Sequence, residues 1–369
     1  MDATTTVRSA APTAPRLQPG RLAVPDALRG IAIVAMLIAH AMPLMPSVRG
    51  GAVGFAASNV NDLASPLFAL VMGMSAALVL ARPGASGGRA SDTRASGARV
   101  VVQNLIRGAV LVALGLWLGG WGSWIAIVLP HLGLTLALGT PILLLRSRVV
   151  ALVAAAIVLA SAPLNAAVAA SADPAVLYSR SPAGLLLQWG FVDPHYRVTN
   201  LLPFFLLGAL LLRHGLRRDR LLALLAVVAV LAYPVRPVLQ RFAGLGSQSG
   251  DYADTLHDLG LVLAVLVVVV LLATVRRRPA STVIAAVLTP FRAAGSLALS
   301  VYVLQVGVVA AFAAAGLGYV VDSPGPFLLL VLGVWGLAVL WWRFAGTGPL
   351  EWLIGRLTRL VPGRGEPGR

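Results

Sequence analysis

Residues 24–42 read Val-Pro-Asp-Ala-Leu-Arg-Gly-Ile-Ala-Ile-Val-Ala-Met-Leu-Ile-Ala-His-Ala-Met, an apolar stretch that contains three ionisable residues, Asp26, Arg29 and His40. A helix turns by about 100° per residue, so Arg29 and His40 lie within about 20° of each other around its axis, with Asp26 about 60° from Arg29. The rise of about 1.5 Å per residue separates Asp26 from His40 by roughly 21 Å. If this helix spans a bilayer, His40 lies in the far half of the hydrocarbon, where ionisable residues usually face a bundle interior or a water-filled cavity.

The composition decides the class of protein. Hydrophobic residues make up 58% of the 369 residues and charged residues only 11%, with a mean hydropathy of +0.87. Soluble domains carry about 25% charged residues, so the sequence predicts an all-α polytopic membrane protein. Cys is absent, which excludes disulfides and thiolate metal sites. The five His are scattered along the chain, and no metal is expected.

Ten apolar segments are predicted to form a bundle of about ten transmembrane helices, because each is long enough or nearly long enough to cross about 30 Å of hydrocarbon. These segments are approximately 26–45, 61–81, 106–121, 124–145, 149–170, 199–212, 221–236, 256–275, 293–316 and 325–342. A surface helix at 281–290 is expected before the ninth. Residues 1–23 are predicted to be a disordered cytoplasmic tail, 24–345 the transmembrane domain, and 346–369 an amphipathic cytoplasmic tail.

The basic residues predict the orientation of the bundle. The net charge is +16, and all 29 basic residues are Arg. With the N-terminus inside and ten crossings, 24 of the 29 Arg fall on the inner face. Cytoplasmic loops carry such an excess, so both termini are predicted to be cytoplasmic. The expected partners are the lipid bilayer and its anionic headgroups, and no nucleic acid is expected. No internal repeat is evident, so an inverted-repeat transporter is not favoured.

His40 is the clearest candidate for chemistry. An imidazole with an ordinary pKa of about 6.5 is suited to general base catalysis, but a buried His also serves simply to hydrogen-bond a neighbouring helix. Asp26 and Arg29 have two interpretations as well: a local ion pair at the start of the helix, or an Arg that binds the phosphate of a cytosolic ligand. The sequence leaves both pairs of alternatives open.

Further polar residues lie near the predicted outer ends of other spans. Small residues share one face of the second span with Asp62, which predicts packing against the first span and leaves Asp62 as a candidate partner for His40. In the loop 251–258, Asp254 or Thr255 is expected to cap the eighth span, which leaves His257 and Asp258 to enter the membrane. Tyr302 and Gln305 lie one turn apart in the ninth span, where they either join helices or line a cavity. Weaker signals come from His131, Asp193 and His195.

Several stretches together resemble the transmembrane acyltransferase superfamily, and more closely its YeiB-type branch. That branch is known by domains of unknown function 418 and 1624 and is often described as heparan-alpha-glucosaminide N-acetyltransferase-like. The similarity rests on Asp26-Ala-Leu-Arg29-Gly30 through His40, Pro66–Ser75, Leu202–Gly208, Ser296–Gln305 and Gly348-Pro349-Leu350-Glu351-Trp352. These motifs are individually short, but their order spans nearly the whole chain.

The resemblance implies a bundle of ten or eleven helices that moves an acyl group, usually acetyl, from cytosolic acetyl-CoA or another acyl-CoA to an acceptor across the membrane. The acceptor is usually a hydroxyl or amine of a sugar or envelope glycan. Carried over by position, Arg29 with Asp26 lies near the donor phosphates, and His40 is the base or the acyl carrier. Many YeiB-type members lack a His at this position. Asp62 is added as a second catalytic candidate, and the candidates for acceptor binding are His257, Asp258, Gln305 and Tyr302.

Two other functions remain open on the sequence alone. A non-enzymatic exporter or flippase of a small or lipid-linked molecule would use the same polar residues as a pathway, and a membrane scaffold would need none of them. Binding of coenzyme A distinguishes the acyltransferase from the flippase. The expected location is the inner membrane of a bacterium, and the oligomeric state, including a homodimer, is left open.

Overall fold

The computed structural model describes residues 23–81, 90–244, 249–275 and 277–359, and these ranges are helical without any strand. Of the predicted tails, 1–23 and 346–369, the parts at 1–22 and 360–369 lie outside the described residues. The helices are α1 (Ala23–Ala41), α2 (Gly51–Leu80), α3 (Ala90–Leu118), α4 (Leu129–Ile142), α5 (Ser147–Ser171), α6 (Pro174–Leu177), α7 (Pro182–Leu187), α8 (Val198–His214), α9 (Arg220–Ala232), α10 (Val235–Ala243), α11 (Tyr252–Ala273), α12 (Ala280–Ser296), α13 (Ala298–Ala314), α14 (Pro324–Leu328), α15 (Val334–Phe344) and α16 (Pro349–Arg359).

The described chain is a polytopic helical membrane protein. Seven of its helical segments are long and apolar enough to cross a bilayer: Ala23–Leu44, Gly51–Leu80, Gly97–Leu118, Ser147–Ser171, Arg220–Ala243, Tyr252–Ala273 and Pro324–Phe344. Helices α12 and α13 form an eighth candidate if they are one broken span, since they bend by 76° at their junction. Helices α4 and α8 are shorter and coincide with the fourth and sixth predicted segments. A helix therefore lies at each of the ten predicted positions.

Several predicted boundaries are wrong. Helix α2 begins at Gly51 and α3 begins at Ala90, although both starts were expected to be loops. Residues 119–128, between α3 and α4, form a longer connection than the one predicted between the spans 106–121 and 124–145. The expected surface helix at 281–290 continues to Ser296, so the break before α13 falls at Leu297. Hydropathy marks the apolar centre of a helix, whereas polar turns at its ends carry little of that signal.

Glycines allow two pairs of helices to touch backbone to backbone. A Cβ on Gly73 of α2 would lie 1.8 Å from the carbonyl oxygen of Phe205, and one on Gly208 of α8 would lie 1.9 Å from that of Leu70. Helix α2 does pack against α1, as its stripe of small residues predicted, but Gly73 of that stripe contacts α8. Helix α1 uses Gly30 in the same way against α12, 1.8 Å from the carbonyl oxygen of Phe291. Small residues permit such close crossings.

Helix α13, which carries Tyr302 and Gln305, is capped at its first turn by a carboxylate from α16. One oxygen of Glu351 accepts hydrogen bonds from the backbone N–H groups of Leu299, at 2.8 Å, and Ser300, at 3.1 Å. Its other oxygen accepts the Ser300 hydroxyl at 2.5 Å. An acidic group at a helix N-terminus satisfies unpaired N–H donors and complements the helix dipole. This cap fixes the end of α13 that lies away from His40.

Candidate functional site

His40, at the end of α1, lines a pocket with polar side chains from two other parts of the chain. Asn61 and Ser65 come from α2, and Tyr196 comes from the loop before α8. The pocket is narrow, with a free volume of about 20 Å³, and its remaining walls are apolar: Met36, Ala39, Ala64, Phe68, Val128 and Leu132. A pocket with apolar walls and a few convergent polar groups is the usual form of a small-molecule site.

His40 is held by two neighbours. Its Nδ1 lies 3.2 Å from the side-chain nitrogen of Gln305 on α13. Its backbone carbonyl accepts a hydrogen bond of 3.0 Å from the indole N–H of Trp124. Gln305 is fully buried, and its side-chain oxygen has no hydrogen-bond partner among the described residues. Near it, the Tyr302 hydroxyl accepts the Val128 backbone N–H at 3.3 Å. Tyr302 and Gln305 were predicted either to join helices or to line a cavity. Both join helices around His40.

Tyr196 reaches this pocket through a turn built by Asp193. One carboxylate oxygen of Asp193 accepts the backbone N–H groups of His195, at 2.8 Å, and Tyr196, at 3.0 Å. Its other oxygen lies 3.8 Å from Nε2 of the buried His131, whose ring meets that of Tyr196 edge to face. Sequence reasoning missed Tyr196. The Asp two to three residues earlier was the available signal, since such an Asp commonly bonds the backbone just after it.

Arg29 lies between three helices, near the start of α1. Its guanidinium donates to the Ser75 hydroxyl on α2 at 2.5 Å and lies 3.5 Å from the carboxylate of Asp26. It also donates to the carbonyl of Gly295 on α12 at 3.5 Å. The local ion pair with Asp26 is thus present, and Arg29 additionally links α1 to α2 and α12.

A second arginine missed by the sequence reasoning lies near Arg29. Arg292 stands one helical turn before Gly295 on α12, and its buried Nε has no hydrogen-bond partner among the described residues. The signal was a lone Arg within an apolar helical segment. Buried donors without partners are rare in proteins, so this N–H is available to an acceptor that the described residues do not supply.

Asp62, His257 and Asp258 come together, but away from His40. Arg236 of α10 binds the carboxylates of both Asp62 and Asp254, the second at 2.6 Å. His257 donates from Nδ1 to the carbonyl of Tyr233 at 2.7 Å, and its Nε2 lies 3.9 Å from Asp62. One oxygen of Asp258 is buried without a hydrogen-bond partner among the described residues.

This ionic cluster of Asp62, Arg236, Asp254 and His257 meets the pocket at Asn61, whose amide donates to Asp62 at 3.3 Å. Asp62 therefore faces Arg236, and a direct partnership with His40 is not among the described contacts. The predicted helix cap is also wrong, because Asp251 caps α11 and accepts the Asp254 backbone N–H at 2.8 Å. Within the described ranges, no group of three or more His, Cys, Asp or Glu is placed to hold a metal ion.

Two family models match the chain. The model described as heparan-alpha-glucosaminide N-acetyltransferase, catalytic, matches residues 21–205, half of the chain. The chain belongs to this family. The model described as a protein of unknown function, DUF418, matches residues 209–361. No curated protein matches the chain. The likeness to domain of unknown function 1624 stays a prediction.

Residues of the candidate site come from both matched regions. His40, Arg29 and Tyr196 lie within the region that matches the acetyltransferase catalytic model, whereas Gln305 and Arg292 lie within the second region. The hydrogen bond between His40 and Gln305 therefore joins the two matched halves of this membrane acetyltransferase family member at the pocket.

Proposed function

We propose that the protein transfers an acetyl or other acyl group from cytosolic acyl-CoA to a hydroxyl or amine of an acceptor on the far side of the membrane, a sugar or envelope glycan. The observation that carries this proposal is His40, held by Gln305 at a pocket within the region that matches the acetyltransferase catalytic model. In this scheme the donor approaches from the cytoplasmic face and the acceptor from the opposite face. Asp26, Arg29 and His40 lie along one stripe of α1 between these two faces.

The proposed topology has ten crossings, with both termini cytoplasmic, in a bacterial inner membrane. Helices α4 and α8 then cross as short spans, and α12–α13 as a broken one. Support comes from the ten helices at the predicted positions and from the 24 Arg that this topology assigns to the inner face. The Arg-rich turn after α8 lies on that inner face, and the pocket at His40 faces the outer one.

The donor end is proposed to lie at Arg29 and Arg292. Arginine binds phosphate through two parallel hydrogen bonds, and Asp26 holds Arg29 in place. Eleven residues separate Arg29 from His40, which corresponds to about 16 Å along the helix. An extended thioester arm, such as that of acyl-CoA, connects a phosphate to a reactive carbonyl over this kind of distance. The residues present therefore fit a CoA donor.

His40 is proposed to act as the general base. Rotation of the Gln305 side-chain amide by 180° exchanges the positions of its oxygen and nitrogen. With the oxygen next to His40, the imidazole carries its proton on Nδ1 and donates it to that oxygen. Nε2 then takes the proton of the acceptor O–H or N–H as that atom attacks the thioester carbonyl. The imidazolium returns this proton to the departing thiolate, so the reaction balances as thioester plus acceptor giving ester or amide plus thiol. Transfer of the acyl group to His40 first is the variant of this scheme.

The acceptor is proposed to occupy the pocket between Asn61, Ser65 and Tyr196. Tyr302 holds Val128 and Gln305 holds His40, so both residues support the walls of this pocket. Asp62, His257 and Asp258 act indirectly, because Asp62 reaches the pocket only through the amide of Asn61. Their proposed role is to hold Asn61 and to set the charge at the outer mouth.

The proposal is tested by thermal-shift titration of the purified protein with acetyl-CoA and with CoA. A ligand that binds only the folded state stabilises it by about 2.7 kcal/mol at a hundredfold excess over Kd. We expect a shift for the wild type that Arg29→Ala loses. Arg180→Ala, at an exposed position far along the chain, is the matched control and should keep the shift. Absence of any shift in the wild type would favour the exporter or flippase instead, since neither needs CoA.

A further inference from the structure

The turn between α8 and α9 forms a second crevice, separate from the His40 pocket. It is a shallow groove, open to the surface, between α8, α9 and α11. Its walls are leucines of these three helices, among them Leu211, Leu225 and Leu266, together with Val270. His214, Arg217 and Asp219 stand at its polar end. The crevice is therefore apolar inside and ionic at one end.

Two of the arginines around this crevice serve the fold. Arg213 donates to the carbonyls of Leu143 and, at 3.2 Å, Leu145, where α4 ends. Arg218 donates to the carbonyl of Leu271 at 2.6 Å, near the end of α11. Basic side chains commonly satisfy the last carbonyls of helices in this way. These two guanidiniums are consequently engaged within the bundle.

The remaining charge at the crevice is not balanced. Asp219 uses one oxygen to cap α9 through the Leu222 N–H at 3.0 Å, and the other accepts His214 at 2.8 Å and Nε of Arg217 at 3.2 Å. The His214 hydrogen bond, followed by that of Leu222, lowers the pKa of Asp219 to about 2, so the carboxylate is charged at neutral pH. Arg217 is 70% exposed and Arg220 is exposed, so two guanidiniums face outward around one carboxylate.

We propose that this crevice binds one anionic phospholipid, with its phosphate on Arg217 and Arg220 and part of an acyl chain between the leucines of α8, α9 and α11. Basic pockets between transmembrane helices on the cytoplasmic side bind anionic headgroups, and each Arg near the membrane surface contributes. A free anion would gain nothing from the leucine walls. The combination of cationic rim and apolar interior therefore selects a lipid.

The test uses the full-length protein, delipidated in detergent, with native mass spectrometry and melting temperature as readouts. Dioleoyl phosphatidylglycerol is compared with dioleoyl phosphatidylcholine, dihexanoyl phosphatidylglycerol and glycerol 3-phosphate. We expect dioleoyl phosphatidylglycerol to bind best. The pair Arg217→Gln and Arg220→Gln should weaken its binding about tenfold or more, because two surface charges are lost. The matched control pair, Arg180→Gln and Arg241→Gln, removes two exposed charges elsewhere and should bind as the wild type does.

Three results would overturn the proposal. Equal binding of phosphatidylglycerol and phosphatidylcholine would remove the charge requirement, and equal losses in the test and control pairs would show a non-specific effect of net charge. A glycerol 3-phosphate shift as large as that of the lipid would indicate a site for soluble anions. If the Gln pair does not fold, Arg217→Lys with Arg220→Lys keeps both charges, and its failure to bind the lipid would count against the proposal. None of these variants touches the His40 pocket, so the outcome is independent of the proposed acyl transfer.

Discussion

His40 and Gln305 are 265 residues apart in the chain, yet Nδ1 of the imidazole lies 3.2 Å from the side-chain nitrogen of the amide. The contact joins the end of α1 to the middle of α13. Each ring nitrogen of a His is set by what the other one bonds, so a single neighbour selects the tautomer. Gln305 therefore controls which nitrogen of His40 carries the proton.

Replacing Gln305 separates its chemical role from a purely structural one. Gln305→Leu removes the hydrogen bond to His40, and kcat for acyl transfer should fall by about tenfold or more, since general base catalysis is worth about 10²–10⁴-fold. KM for acetyl-CoA should stay near the wild-type value, because the site proposed for the donor phosphates, at Arg29, is separate from Gln305. Gln305→Glu keeps an acceptor for Nδ1–H and should retain most of the activity. Equal kcat values for Gln305→Leu and the wild type would show that the amide does not position His40.

Arg236 should be important for stability at the outer end of the bundle. It binds Asp62 and Asp254, and its side chain is only 15% exposed. Removing one partner of a buried ion pair costs about 3–5 kcal/mol because the other charges lose their compensation. Arg236→Gln should therefore lower the melting temperature, and adding Asp62→Asn should recover part of the loss. Arg241→Gln, an exposed Arg on the same helix, is the control. A wild-type melting temperature for Arg236→Gln would contradict this account.

The crossing of α2 and α8 predicts an intolerance of Ala at Gly73. Its added Cβ would lie 1.8 Å from the carbonyl oxygen of Phe205, so the two backbones would have to separate. Overpacking of this kind typically costs about 1–3 kcal/mol, and Gly73→Ala should melt at a lower temperature. Gly336→Ala is the matched control, because a Cβ there meets nothing within 4 Å. That change should be neutral or stabilising, since Ala is favoured over Gly in helices by about 1 kcal/mol. Similar melting temperatures for the two variants would show that the crossing is looser than the structure has it.

The sequence was informative about the helices because the predicted spans are long, mostly apolar segments, and hydropathy identifies such segments directly. It was less informative about their ends. Arg236 was predicted to be the last residue of the span 221–236, but it belongs to α10, a short amphipathic helix with little hydropathic signal. The break at Leu297, two residues after Gly295, was also missed, because 293–316 was predicted as one continuous span.

The candidate site was predicted only in part, because helical spacing gives one kind of information and not another. Helical spacing identifies which residues share a face, and this placed Arg29 and His40 on one stripe. Spacing does not identify the helix that the face contacts. Asp62 was therefore predicted as a partner of His40, whereas in the structure it binds Arg236. For the same reason, the hydrogen bond between Arg29 and Ser75 was not predicted. Tyr196 entered the pocket through a loop, where periodicity gives no guidance.

The central claim is that His40 performs acyl transfer, and the most direct measurement follows labelled acetyl from acetyl-CoA to added sugars. The purified full-length protein is incubated with labelled acetyl-CoA and either glucosamine or glucose as acceptor probes, and labelled product and released thiol are both quantified. The account predicts stoichiometric product and thiol with the wild type, and a loss of at least about a hundredfold with His40→Ala at an unchanged melting temperature. Transfer by His40→Ala at the wild-type rate would contradict it.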